Sequence, residues 1–278
     1  MRRLFLILAA LALLGSSETP EVDTAALGAA LQEFNTGARF PLPTLSEAQL
    51  ERLLAGKVVK IREKQADGGP QRGIGLLRTD VPRADVWLAV RDAHLSMMDE
   101  LHERQLTPPE QMPAVWYQLL DLPRPFADRH WVIDVSDNHA LARATGNRCW
   151  EHPWVLKPDG PAIAAEVIAA GRIPGVDVAR GEDAIYTPVN HGAWIAVQLP
   201  DETTILAYHA TSVIGGRIPD KLVADYMMLT LSNLLRGVVE RAPKAVEHYG
   251  PDHARIQGAD GVTIPSKGGR GPSIGVSP

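Results

Sequence analysis

The stretch Pro219-Asp220-Lys221-Leu222-Val223-Ala224-Asp225-Tyr226-Met227-Met228-Leu229-Thr230-Leu231-Ser232-Asn233-Leu234-Leu235-Arg236-Gly237-Val238-Val239-Glu240-Arg241-Ala242 decides how this chain folds. Proline leads it, in the first-turn position where a missing N–H is harmless, and no second proline follows before Pro243. Val223, Met227, Leu231, Leu234 and Val238 recur at the spacing that stacks side chains on one helix face. Leu222, Tyr226, Leu229, Leu235 and Val239 widen that face, while Asp225, Ser232, Arg236 and Glu240 form a polar stripe opposite. A helix with so broad an apolar face must be buried against a large surface.

The chain before it supplies that surface. Thr204 to Ile214 and Trp194 to Leu199 read as strands, and the tight Pro200-Asp201-Glu202 turn makes them an antiparallel hairpin. Shorter β-like runs cover Val115 to Leu120, His130 to Val135 and Arg148 to Leu156, followed by an alanine-rich helix over Pro161 to Ala170. Towards the N-terminus, Ser46 caps a helix whose apolar face is Leu50, Leu53 and Leu54, and Gly56 stops it. Val58 to Ile61 and Gly73 to Thr79 read as strands joined at Gly68-Gly69-Pro70, and a helical window opens at Pro82 and runs to about Leu101. Residues 18–44 read as a loosely packed approach segment containing a short helix from Thr24 to Phe34. The run 243–278, rich in Gly, Pro, Ser and charge, reads as a flexible tail. The body is then 45–242, of the α+β class: an antiparallel sheet with a long helix at its C-terminal end. A strongly curved sheet around such a helix leaves a concave, mostly apolar space, the kind that holds small molecules.

Arg2 and Arg3, the apolar run Leu4–Leu14 and the small residues Gly15-Ser16-Ser17 have the layout of a secretory signal peptide over 1–17. The run is too short for a bilayer, which takes about 20 apolar residues. The expectation is therefore an exported protein, periplasmic or secreted. The chain carries −5 at neutral pH, and loss of Arg2 and Arg3 with the leader moves that to about −7. Such a balance argues against nucleic acid as a partner. Cys149 is the lone cysteine, so no internal disulfide forms, and between Arg148 and Trp150 in a strand it reads as a packing residue.

Three stretches carry a family resemblance. Leu122-Pro123-Arg124-Pro125-Phe126-Ala127-Asp128-Arg129-His130-Trp131-Val132 resembles the P-x-x-x-x-D-R-D-F/W-V segment of START domains, the lipid-transfer branch of the SRPBCC, or helix-grip, superfamily. Gly215-Gly216-Arg217-Ile218-Pro219 with Leu222-Val223 is similar to the G-G-x-I-P-x-W-L-V-N lead into their C-terminal helix. Val86-Trp87-Leu88-Ala89-Val90-Arg91-Asp92 is similar to their V-W-x-x-L-x-D, and Leu45 to Val59 looks like the lead-in of exported bacterial members. The resemblance implies a curved antiparallel sheet gripping the C-terminal helix, with a lipid- or sterol-sized tunnel between them. Lys221 stands where the family usually has tryptophan, Ala224 where it often has asparagine, and Val135 where an arginine is expected.

No G-x-S-x-G elbow, phosphate-cradling glycine loop or H-E-x-x-H spacing is present, so neither cofactor nor metal is expected. The first reading is a non-enzymatic carrier with a hydrophobic small-molecule ligand and transient membrane contact. Its candidate ligand-binding residues are Arg129, Trp131, Tyr208 and His209 from the sheet and Val223, Met227, Leu231 and Leu234 from the helix. Alternation on Thr204 to Ile214 separates Tyr208 from His209 but leaves open which face looks into the cavity. The second reading is a polyketide-cyclase- or aromatase-like enzyme using Arg129, Tyr208 and His209. The third is a partner-binding module with a collapsed cavity. For the carrier, the adjacent Gly215 and Gly216 are the expected hinge of a lid formed by the C-terminal helix.

Overall fold

The computed structural model describes residues 22–64, 69–92, 100–108, 111–216, 218–249 and 256–264. The signal-peptide reading lies outside them. Two helices open the described chain, α1 (Thr24–Asn35) and α2 (Glu47–Leu54), started by side-chain caps from Asp23 and Ser46. At Ser46 the Gln49 side chain returns the bond and completes a capping box. There follow β1 (Val59–Glu63), β2 (Arg72–Thr79), α3 (Arg83–Arg91), β3 (Leu101–Gln105), β4 (Ala114–Leu120) and β5 (Arg129–Val135). The second half holds α4 (His139–Ala144), β6 (Cys149–Leu156), α5 (Gly160–Ala169), α6 (Val178–Asp183), β7 (Ile185–Tyr186), β8 (Val189–Gln198), β9 (Thr204–Val213) and α7 (Asp220–His248).

The strands form one curved sheet in the order β1-β2-β9-β8-β6-β5-β4-β3, antiparallel throughout, with the short β7 parallel to the start of β5. Alternation divides each strand between two faces. The outer face is covered twice. Leu27, Leu31 and Phe34 of α1 and Leu53 of α2 pack on Ile74, Leu76, Ile195, Val197, Ile205 and Ala207. Ala164, Val167 and Ile168 of α5 pack on Tyr117, Leu119 and Val132. The inner face meets α3 and α7.

Four expectations change. Residues 22–44 are not loosely packed: Leu27 and Phe34 are fully buried in the outer core, and the segment after α1 is tied to the sheet. The Glu151 carboxylate accepts the backbone N–H groups of Arg39 (2.8 Å) and Phe40 (3.2 Å), and Arg72 donates to the carbonyls of Phe40 and Pro41. The long helix does not stop at Ala242 but runs through Pro243 to His248. Proline removes one helix N–H, yet Ala245 and Tyr249 beyond it are buried in the inner core, and Tyr249 donates to Asp92 at 2.7 Å. Within the expected tail, residues 256–264 return to the body, where Trp87 donates to the Gln257 carbonyl and Ala259 is buried beside Trp150. The helical window from Pro82 ends at Arg91, and Leu101 already begins β3.

Candidate ligand cavity

Two glycines of β2 lie directly under α7. A Cβ on Gly73 would lie 2.9 Å from the Met227 side chain, and one on Gly75 would lie 3.0 Å from Leu235. The two glycines leave room for the Met227 and Leu235 side chains against β2. The helix therefore packs on β2, its neighbours β1 and β9, and α3, and its closest seat is at one end of the sheet.

The inner face beyond that seat is lined by Trp116, Gln118 and Leu120 of β4, Trp131 and Ile133 of β5, Trp154 of β6, Trp194 of β8 and Tyr208 of β9. Tyr208 lies between two indoles, 4.6 Å from Trp194 and 5.5 Å from Trp154 between ring centroids. Burial pushes its phenol up to about 12, and its hydroxyl makes no hydrogen bond to protein among the described residues. Yet Tyr208 keeps accessible surface, as do Trp116, Gln118, Leu120, Met227 and Leu234. This part of the inner face is thus only partly covered by α3 and α7. On the outer face Ile74, Leu76, Val132, Ile205 and Ala207 are fully buried, and partial exposure falls at Ile61 and Val115.

The candidate residues separate accordingly. Trp131, Tyr208, Met227 and Leu234 share the inner cluster. Val223 is half-buried one turn before Met227. Leu231 is fully buried against Gly75, so it seats the helix and presents no surface to the space. Arg129 is on the inner side but occupied: Nε donates to the Ile214 carbonyl (2.6 Å), Nη2 to that of Gly215 (3.0 Å), and Nη1 to those of Ala127 and Asp128. It ties the turn before α7 to the loop before β5. Gly215 and Gly216 both have positive φ, and a Cβ on Gly216 would lie 2.7 Å from the Arg129 guanidinium.

His209 is on the opposite, outer face. It lies edge-on beneath Phe40, ring centroids 5.4 Å apart, and neither ring nitrogen has a hydrogen-bond partner among the described residues. Burial, with Arg72 and His191 nearby, holds it well below its ordinary value. Arg129, Tyr208 and His209 thus do not converge on one point, which removes the trio expected for a cyclase.

Other polar groups have structural partners. Asp137 is held below the usual carboxylate range: burial alone would raise it, but His152 (2.6 Å) and Arg91 (2.8 Å) outweigh that. The Cys149 thiol is buried and pushed up to about 12 by desolvation. Among the described residues no cluster of His, Cys, Asp and Glu could hold a metal ion. A solvent-open groove of about 620 Å³ between Thr79–Asp85 and Pro243–Val246 lies elsewhere and includes none of the candidate residues. What the sequence reading missed is polar: Glu103 and Gln118, joined to Trp131 across the inner face. Glu103 lies in β3, whose Leu-His-Glu-Arg-Gln run has no apolar alternation to mark it as a strand.

A curved antiparallel sheet gripping a long C-terminal helix over an aromatic wall is the START-like helix-grip fold, and this chain has it. Human STARD10 matches with a TM-score of 0.51 at 11% identity, over 84% of this chain and 86% of that one. A STAR-related lipid transfer protein fragment from Xanthomonas axonopodis gives 0.49 at 19% identity, over 67% of this chain and 93% of its own. The Zhui aromatase/cyclase from Streptomyces sp. R1128 gives 0.31 at 16% identity, over 63% and 87%. No protein-family model and no curated protein matches the chain. Identities this low carry the fold and not the ligand.

Proposed function

We propose that this protein is an exported carrier, periplasmic or secreted, that holds a hydrophobic molecule of lipid or sterol size between the inner sheet face and α7. The observation that carries this reading is the partly accessible apolar wall of Trp116, Tyr208, Met227 and Leu234 on the inner face, behind strands whose outward Ile74, Leu76, Val132, Ile205 and Ala207 are fully buried. Apolar wall left uncovered is unfavourable by roughly 25 cal/mol per Å², and a bound apolar molecule removes that cost. The separation of Arg129, Tyr208 and His209 supports a carrier over a cyclase.

Loading requires an opening, and the turn at Gly215 and Gly216 is the hinge for the first turns of α7. Leu222, Tyr226 and Leu229 form an exposed apolar ridge there, with Lys221 beside it. This ridge touches the donor or acceptor membrane during transfer, apolar residues inwards and lysine at the headgroups. Native mass spectrometry of the protein from its own source, followed by extraction and identification of bound lipid, tests the reading. A stoichiometric apolar ligand is expected; protein that is empty and takes up no lipid or sterol offered to it refutes the carrier. N-terminal sequencing of the same material should begin near Glu18, and an intact Met1 would refute export through this leader.

A further inference from the structure

Glu103, Gln118 and Trp131 stand in one row across β3, β4 and β5, since Glu103 is opposite Gln118 and Gln118 opposite Trp131. Their side chains are joined in that order. The Trp131 indole donates to Gln118 Oε1 at 2.6 Å, and Gln118 Nε2 donates to Glu103 Oε2 at 2.8 Å. An indole N–H can only donate, so it fixes the orientation of the Gln118 amide and aims the NH2 group at Glu103. This leaves the second oxygen, Oε1, with no hydrogen bond to protein among the described residues, on a side chain that keeps accessible surface.

The surroundings are unusual for a carboxylate. The row lies in the inner cluster with Leu101, Trp116, Leu120 and Ile133. Burial raises Glu103 above its ordinary value, the Gln118 bond and Arg241 of α7 counter that, and Asp92 adds to it. Arg241 itself donates to the Ala89 carbonyl at 3.0 Å, and Arg129 is consumed by four carbonyls. The inner wall therefore offers acceptors, Glu103 Oε1 and the Tyr208 hydroxyl oxygen, more readily than it offers an unengaged cation.

We propose that Glu103 is the specificity-determining residue of this cavity and that the ligand is an apolar molecule with a neutral, hydrogen-bond-donating head such as a hydroxyl. This rests on the carrier reading above. A hydroxyl at Oε1 forms a hydrogen bond to a charged acceptor, worth roughly ten- to a hundredfold in affinity. An anionic head in the same place meets a like charge in an apolar setting, and one of the two must take up a proton before they can coexist.

The test uses matched pairs offered to the mature full-length protein at neutral pH: hexadecanol against palmitate, and cholesterol against cholesterol sulfate. In each pair the apolar body is the same and only the head differs. The alcohol should bind at least about tenfold tighter than its anionic partner, in whichever pair fits the space. Glu103→Gln keeps an acceptor for Gln118 and removes the charge, so the preference should shrink towards unity with the melting temperature little changed. Equal binding of alcohol and anion by the wild type overturns the proposal without reference to any variant, so an unfolded Glu103→Gln would not rescue it. A preference that survives in a folded Glu103→Gln overturns it as well. Absence of binding by all four compounds, in protein that purifies empty, overturns the carrier reading, and this inference falls with it.

Discussion

Val132 and Trp131 are neighbours on β5 and occupy different environments. Val132 points outward beneath α5 with nothing left accessible, whereas Trp131 points inward, its indole spent on Gln118, in a wall that α7 leaves partly uncovered. The same contrast runs along β9, where Ile205 and Ala207 are buried under α1 and α2 and the Tyr208 hydroxyl has no hydrogen-bond partner among the described residues. The faces differ because their covers differ. Two short helices and α5 lie directly on the outer side, each over its own strands, while the single long helix inside is drawn against Gly73 and Gly75. Both faces carry a buried core, and on the inner one Trp116, Tyr208, Met227 and Leu234 stay partly uncovered.

Substitutions matched across the two faces should break this contrast if it is wrong. Leu76→Ala in the outer core should cost about 2–5 kcal/mol and leave ligand stoichiometry unchanged while the protein is folded. Met227→Ala on the inner side should cost only about 1–2 kcal/mol and weaken lipid binding. Urea denaturation with native mass spectrometry reads both, and equal stability losses would show the inner face to be ordinary core.

Arg129→Ala removes the tie between the turn before α7 and the loop before β5 and leaves the carbonyls of Ile214 and Gly215 short of a partner. A loss of about 2–3 kcal/mol is expected, with faster amide exchange at Gly215 and Gly216 than in β8. Unchanged exchange there would show that Arg129 does not restrain the hinge.

Acid should act first on the outer face. His209 is held below its ordinary value of 6.5 by burial and by Arg72 and His191, so the unfolded chain takes up this proton before the folded one. Its contribution is complete above pH 6.5 and is lost as pH falls towards the folded value, at up to about 1.4 kcal/mol per pH unit. His209→Leu should flatten the stability profile in that window. A profile as steep as the wild type's would assign the acid sensitivity to other groups. The smallest stability effect belongs to the exposed ridge: Leu229→Ser should change stability by less than about 0.5 kcal/mol and leave equilibrium binding intact, yet slow transfer of lipid between vesicles.

Much of this arrangement was legible beforehand. The spacing of Val223, Met227, Leu231, Leu234 and Val238 announced the long helix, and the caps at Ser46 and Pro219 and the turn at Pro200-Asp201-Glu202 placed its neighbours within a few residues. Of the eight candidate residues, four share the inner cluster. Trp131, Tyr208, Met227 and Leu234 do meet on the inner face, but Arg129 proved to be a backbone tie, Leu231 a helix seat and His209 an outer-face residue. A polar side chain on a mixed strand gives no sign of its partner, and the carbonyls that occupy Arg129 come from residues as distant as Ile214 and Gly215.

The sequence by itself determined the elements that depend on neighbours within a turn or a hairpin: the broad-faced helix, the capped helices, the alternating strands and their antiparallel pairing, and hence the α+β class. Only the tertiary structure decided which face of β9 looks inward, how far α7 continues past Pro243, where residues 256–264 return, and that Glu103, Gln118 and Trp131 form one row. Those features depend on contacts between segments far apart in the chain. Burial of Ala245 and Tyr249 outweighs the helix-breaking tendency of a proline, and strand register brings a glutamate, an amide and an indole from three separate strands within hydrogen-bonding distance.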